Sequence, residues 1–263
     1  MQKKAKIAVI GGTGLADSKA FKILEEVKVD TPFGKPSDKI KITDFNGKKV
    51  AFLPRHGAGH KIPPHMVNYR ANIHALKQLG VERIIAFSAV GSLRKDMKPG
   101  DAVILDQFID MTRSRKLTFY EGPKVVHISA ADPFCPDMRQ WAAEVCKELR
   151  IPHHGKGTYV CVEGPKFSTR AESNLWRIMK ADVVGMTLVP ECQLAREAEI
   201  CYLSVSTVTD YDVWAEKPVD AAGIIETMKQ NAENVQKILT HLIPRLKDER
   251  SCGCATALKN AEL

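Results

Sequence analysis

The run Ile200-Cys201-Tyr202-Leu203-Ser204-Val205-Ser206-Thr207-Val208, continuing into Thr209-Asp210-Tyr211-Asp212-Val213-Trp214, decides how this chain is read. From Ile200 to Val208 it is apolar and β-branched, which predicts a buried strand. That strand delivers two carboxylates, Asp210 and Asp212, to its carboxyl end, the place where ligands bind in an α/β protein. A carboxylate there accepts hydrogen bonds from an exocyclic amine and, once protonated, donates one to a ring nitrogen. The same run also fits a solvated Asp-rich turn, so its neighbours in the chain must decide.

Working outward, strands and helices interleave. Lys6 to Ile10 predicts a short strand ending in Gly11-Gly12-Thr13-Gly14, followed by a segment of mixed turns with the loop Thr31-Pro32-Phe33-Gly34-Lys35-Pro36-Ser37. Val50 to Leu53, Arg83 to Ala89, Ala102 to Leu105, Lys124 to Ile128, Thr158 to Val162 and Val183 to Met186 predict further strands. Val67 to Leu79 carries apolar residues at helical spacing and closes at Gly80. Pro136 opens a helix to about Leu149, at a position that suits proline. Arg170 to Met179 and Val189 to Ala198 predict two more, and Ala221 to Leu246 the longest, with Met228, Ala232, Val235, Ile238 and Leu242 on its apolar stripe. This alternation argues an α/β fold. With no long linker and no repeat, residues 1–263 are expected to form a single domain, its core about 5–246 and its tail 247–263.

Hydrophobic residues at 44% and charged residues at 27% describe an ordinary soluble globule. No apolar run is long enough to span a membrane, and the first residues show no signal-peptide pattern, so a cytoplasmic location is expected. The net charge of +8 admits a non-catalytic nucleic-acid-binding protein, but there is no Lys/Arg block and no aromatic-interleaved signature to support one. The seven cysteines show no paired C-x-x-C zinc spacing, so no metal site is expected. A disulfide within Cys252-Gly253-Cys254 would be strained, and which cysteines are thiols stays open.

Several strand ends carry anion chemistry. Gly11-Gly12-Thr13-Gly14 lets backbone N–H groups approach an anion and adds the Thr13 hydroxyl, although it matches neither a dinucleotide fingerprint nor a Walker loop and by itself is equally a tight turn. Arg55 offers a fixed fork suited to phosphate, and His56 beside it offers a ring nitrogen as donor. Ser88-Ala89-Val90-Gly91-Ser92 has small residues that permit close backbone approach. In Glu163-Gly164-Pro165-Lys166-Phe167-Ser168, Phe167 can stack on a flat base, or simply pack under the loop. Thr187 in Gly185-Met186-Thr187 adds a hydroxyl. The combination suits an anion beside a flat polar ligand.

Together these segments resemble the methylthioadenosine phosphorylases and their relatives among the trimeric purine nucleoside phosphorylases. The resemblance covers about residues 5–246 and rests most specifically on Thr31-Pro32-Phe33-Gly34-Lys35-Pro36-Ser37 and Thr209-Asp210-Tyr211-Asp212. It implies a central mixed β-sheet flanked by helices, and phosphorolysis of 5′-methylthioadenosine to adenine and 5-methylthioribose 1-phosphate, with no metal or organic cofactor and inorganic phosphate as co-substrate. It implies a phosphate site of Thr13, Arg55, His56, Ser88, Ala89 and Thr187. Phe167, Ser168, Met186, Asp210 and Asp212 would surround base and ribose, Asp210 acting as the acid toward purine N7. Ala221, Ile224 and Ile225 would face the methylthio group, and His127 would come from a neighbouring subunit of a homotrimer or homohexamer.

The resemblance leaves an alternative within the same fold, a purine nucleoside phosphorylase of broad or 6-oxopurine preference. Gly185 stands where the animal methylthioadenosine enzymes have Asn, and Ala221 where they have a larger apolar residue, which suggests a roomier pocket for the 5′ end. The Cys252-Gly253-Cys254 segment, with Cys135 and Cys201, resembles cysteine positions of thermophilic relatives in which some pair.

Overall fold

In chain order the elements are β1 (Ile7–Gly11), β2 (Lys22–Val27), β3 (Ile40–Phe45), β4 (Lys48–Pro54), α1 (Tyr69–Gln78), β5 (Arg83–Ser92), β6 (Ala102–Ile104), β7 (Gln107–Met111), α2 (Pro136–Glu148), β8 (His153–His154), β9 (Thr158–Val162), α3 (Arg170–Ile178), β10 (Val183–Gly185), α4 (Leu188–Glu197), β11 (Cys201–Asp210) and α5 (Ala221–Arg245). The computed structural model describes residues 4–12, 21–215 and 221–262, with the side chains of all of these except 221–226.

Every residue of β11 from Cys201 to Thr209 is buried, as expected of a central strand covered on both faces. Its side chains alternate: Tyr202 and Val208 join one core cluster with α1 and α4 residues such as Ile73, Leu76 and Leu194. Cys201, Leu203 and Val205 join a second with α2 and α5 residues such as Val145, Ile238 and Leu242. The period of two that makes a strand thus splits one sheet's side chains between two helical layers. On α5, Ile238, Leu239, Leu242 and Ile243 are fully buried, each contributing about 1.5–3 kcal/mol of apolar burial.

The strand order is β2-β3-β4-β1-β5-β10-β9-β7, with β11, β6 and β8 branching from β5. β4, β1, β5 and β11 are parallel neighbours, so Gly11, Pro54, the end of β5 and Asp210 come out on one edge. β10 pairs antiparallel with the last residues of β5 at Gly91 and Ser92, so the sheet is mixed. Gly91 is the fork. A Cβ there would lie 3.1 Å from Asp210 Oδ1, 3.2 Å from Asp212 Cβ and 3.3 Å from Val184 Cγ1, so the missing side chain is what lets the carboxylate loop close over β5.

The helices begin where their sequences predict. Asn68 accepts the Ala71 N–H at the start of α1, Pro136 opens α2, and Thr169 and Glu172 form a reciprocal capping box at α3. Two expectations need correcting. The mixed-turn segment contains the hairpin β2–β3; β2 is exposed along its length and rich in Lys and Glu, the composition that protects an outer edge and hides apolar alternation. Lys124 to Ile128 is not a strand: Val126 makes one isolated bridge to Glu262 and Val125 is 45% exposed, because no sheet neighbour is available there, while the outer strand on this side is β7. The segment after Lys247 packs against the body, with Cys254 buried in the second core cluster.

Candidate active site

A cavity of about 440 Å³ opens at the carboxyl edge of the parallel strands. Gly12 follows β1 into it, Arg55 and His56 follow β4, Ser88 to Gly91 come from the end of β5, and Thr207, Thr209 and Asp210 from the end of β11. Gly185, Met186 and Thr187 enter from β10, Phe167 and Ser168 from the loop before α3, and Met228, Asn231 and Val235 from α5. Of the residues expected from sequence, Arg55, His56, Ser88, Ala89, Phe167, Ser168, Met186, Thr187, Asp210 and Asp212 all line this space. Thr13 and the side chains of Ala221, Ile224 and Ile225 lie outside the described residues. His127 does not line the cavity; its backbone N–H donates to Ala261 O at 2.8 Å.

One end of the cavity is cationic. Arg55 is 3% exposed and is clamped by the fully buried Glu191: Nε and Nη2 each donate to a carboxylate oxygen at 2.7 Å, while Nη1 donates to Phe87 O at 2.9 Å. Tyr202 Oη donates to the same carboxylate at 2.8 Å. Burial opposes the guanidinium's charge, but Glu191 outweighs it and holds Arg55 protonated above its ordinary range. Of the five N–H donors of an arginine, two remain unused among the described residues, in a plane fixed by the clamp. Ser88, whose hydroxyl lies 3.1 Å from that of Ser206, and Thr187 add hydroxyls beside it.

His56 donates through one ring nitrogen and keeps the other as an acceptor. Burial, then the neighbouring Arg55, push its pKa down to about 4, so the ring is neutral near pH 7. Its Nδ1 is 2.8 Å from Ile62 O, and a carbonyl only accepts, so Nδ1 carries the proton and Nε2 holds the lone pair. This leaves Nε2 able to accept a hydrogen bond from a ligand, and His60 stacks on the ring at 4.2 Å.

The other end is acidic. Asp210 Oδ1 accepts the Asp212 N–H at 2.7 Å and Oδ2 accepts the Thr209 hydroxyl at 2.8 Å. Burial raises the pKa of Asp210, and the nearby Asp212 charge adds to the rise against those two hydrogen bonds. Burial raises Asp212 as well. Phe167 is 55% exposed and lines the cavity rather than packing beneath the loop. Arg55 is tied to Phe87 and Asp210 sits opposite Gly91 in register, four residues further along β5. That is about 13 Å of strand, which leaves room for a pentose between anion and base.

Sequence reasoning missed Glu191, Tyr159 and Asn231. Glu191 had a signal, an acid set within the apolar stretch Leu188 to Leu194, which a buried helix tolerates only if the charge is paired. Tyr159 had none. A Cβ on Gly185 would lie 2.0 Å from Tyr159 Oη, which accepts the Thr187 N–H at 3.2 Å. Space beside Gly185 is thus filled by Tyr159 and does not enlarge the pocket. Asn231 is 3% exposed on the apolar stripe of α5; its Nδ2 donates to Val208 O at 3.0 Å, fixing α5 to β11.

A strand-ended cavity with a clamped arginine at one end and a raised carboxyl pair at the other defines a phosphorylase-type site. The model of the phosphorylase superfamily matches residues 6–244, and the chain belongs to that family. Within it, the chain is 59% identical over 254 residues to the S-methyl-5′-thioadenosine phosphorylase of Pyrococcus horikoshii, covering 97% of this chain and 98% of that one. Among solved structures, a methylthioadenosine phosphorylase from an antarctic soil metagenomic library superposes with a TM-score of 0.95 at 45% identity, over 99% of this chain and 93% of the other. A mutant of the adenosine/methylthioadenosine phosphorylase of Schistosoma mansoni in complex with adenine superposes with a TM-score of 0.89 at 39% identity, over 94% and 93%.

Proposed function

We infer that this chain is a pentosyltransferase that cleaves 5′-methylthioadenosine with inorganic phosphate, giving adenine and 5-methylthioribose 1-phosphate. The observation that carries the reading is the pairing in one cavity of the Glu191-clamped Arg55 with the buried Asp210–Asp212 pair. Cleaving the glycosidic bond leaves positive charge on the ribose and negative charge on the purine. Phosphate bound by the free edge of Arg55, by Ser88, Ala89, Thr187 and the Thr13 loop sits beneath the ribose, stabilises that cation and then attacks the anomeric carbon. His56 Nε2 accepts the hydrogen of monohydrogen phosphate, so the nucleophile is oriented without losing charge. Asp210, kept protonatable by burial, donates to purine N7 as the bond breaks, and adenine leaves neutral. Asp212 and Ser168 hold the base edge and Phe167 stacks on its face, while Met186 packs on the ribose.

The apolar residues that α5 presents to the cavity, Met228, Ala232 and Val235, suit a methylthio group better than a hydroxyl. Ala221, Ile224 and Ile225 would extend this wall on the first turns of the same helix. Beyond phosphate as a co-substrate, the reaction needs no cofactor. Leu175, Ile178 and Met179 on and after α3, at 45%, 77% and 37% exposed, support assembly with further copies into a trimer or hexamer in which a neighbour supplies His127. Among the described residues no helix is long and apolar enough to cross a membrane.

Adenosine is the competing substrate to test, since the Schistosoma mansoni relative carries both names. The experiment compares phosphate-dependent kcat/KM for methylthioadenosine, adenosine, inosine and guanosine. Methylthioadenosine leading, with the 6-oxopurines last, supports the reading; inosine or guanosine leading would replace it with an oxopurine-specific phosphorylase.

A further inference from the structure

From three separate parts of the chain, Cys135, Cys201 and the pair Cys252 and Cys254 place their four sulfurs within 4.8 Å of one another. Each comes from a defined place. Cys135 caps the start of α2 and its N–H donates to Tyr202 O at 2.9 Å. Cys201 opens β11. Cys252 and Cys254 flank Gly253 at a single 3-10 turn of the C-terminal segment. Cys135, Cys201 and Cys254 are buried, and Cys252 is partly exposed. Cys201 and Cys252 have their sulfurs 3.4 Å apart, and Cys135 and Cys252 3.6 Å.

We propose that these four cysteines form a structural tetrathiolate site for a soft divalent metal ion, zinc by default. Tetrahedral zinc with bonds of about 2.3 Å to sulfur puts the ligands about 3.8 Å apart, close to the spacing these thiols already have. Four sulfurs gathered without an oxygen or imidazole select soft ions over magnesium or calcium. No other cysteine takes part: Cys146, Cys161 and Cys192 are buried elsewhere in the core. Binding exchanges four thiol protons for one dication, leaving the centre with net charge −2. Arg250 lies close enough to Cys201 for its charge to act on it, and its Nη1 donates to Glu199 O at 2.8 Å, so a fixed cation partly offsets that charge. The partly exposed Cys252 gives an ion its way in. The ion would join α2, β11 and the C-terminal segment at one point, on the face of the sheet carrying α2 and α5 and away from the cavity of the reaction. The pattern escapes a spacing search because two ligands lie far apart in sequence and the other two are separated by one residue rather than two.

The test is elemental analysis of the full-length protein purified without chelator, with thiol counting before and after mercurial displacement. One zinc per chain, released together with four newly titratable thiols, is expected. Cobalt(II) reconstitution should give the charge-transfer and d–d absorption of a tetrahedral tetrathiolate. Cys252→Ser, at the most exposed ligand, should abolish stoichiometric metal, while Cys146→Ser should leave it unchanged; phosphorolysis by the Cys252→Ser protein should persist. Two disulfides by intact mass under non-reducing conditions would overturn the proposal, as would four free thiols that take up neither zinc nor cobalt.

Discussion

Replacing Glu191 by Gln tests whether Arg55 faces an anion. The carboxylate is fully buried and each of its oxygens receives an Arg55 N–H at 2.7 Å, with Tyr202 Oη added on Oε1. The amide keeps the shape but removes the charge, and whichever way it sits, an Arg55 N–H meets an NH₂ group. Stripping one partner from a buried ion pair costs about 3–5 kcal/mol, which for a chain of this size lowers Tm by about 6–20 °C. Phosphate then acts unequally on the two proteins. In the parent its charge meets an arginine already neutralised by Glu191; in the variant it is the only counter-ion for a buried cation. Saturating a site at about 100 times Kd adds about 2.7 kcal/mol, and at equal phosphate the gain should be larger in the variant. Scanning fluorimetry with phosphate, against chloride at matched ionic strength, reads both effects. An equal phosphate shift in both proteins would refute the placement of Arg55 at the anion, and a Tm loss below about 2 °C, less than 1 kcal/mol for this size, would refute the clamp.

Other outcomes follow from the same geometry. Asp210→Asn should lower turnover of aminopurine nucleosides by about 10²–10⁴-fold, the usual worth of general acid help, with a smaller loss for 6-oxopurines, measured as kcat/KM on adenosine and inosine; equal losses contradict the role. Gly91→Ala should displace Asp210 and Asp212, whose atoms lie 3.1 and 3.2 Å from the added Cβ, and cut kcat by more than tenfold while Tm moves little; an unchanged kcat contradicts the fork. His56 has its folded pKa lowered to about 4, so its contribution to stability is complete above its unfolded value near 6.5 and is lost as pH falls toward 4. Stability of the parent should therefore drop more steeply than that of His56→Gln across that window in urea titrations; parallel curves contradict the neutral assignment.

How much of this was legible in sequence depends on what each residue's neighbours do. β11 and its carboxylates were readable because a strand buried on both faces has only apolar or small side chains until it reaches the cavity. Arg55, Ser88 and Thr187 were legible because each polar side chain comes at or just beyond the end of an apolar strand, where the cavity lies. β2 was not, since an exposed edge strand shows no alternation. His56 was legible as a cavity residue, but which of its nitrogens donates was not, because its tautomer is set by Ile62 O and its charge by burial and Arg55, neither local in sequence. Gly185 suggested spare room, whereas Tyr159 from the neighbouring strand β9 fills it. The sulfur cluster joins residues more than 100 positions apart, beyond any spacing rule.

The central claim is that an anion held by Arg55 takes the sugar as Asp210 releases the base. Its most direct test is single-turnover cleavage of methylthioadenosine with and without inorganic phosphate, following adenine by absorbance and the sugar by ³¹P NMR. One sugar 1-phosphate per adenine, and no adenine when phosphate is withheld, is the predicted result. Adenine released at the same rate without phosphate, with free methylthioribose as the second product, would contradict it.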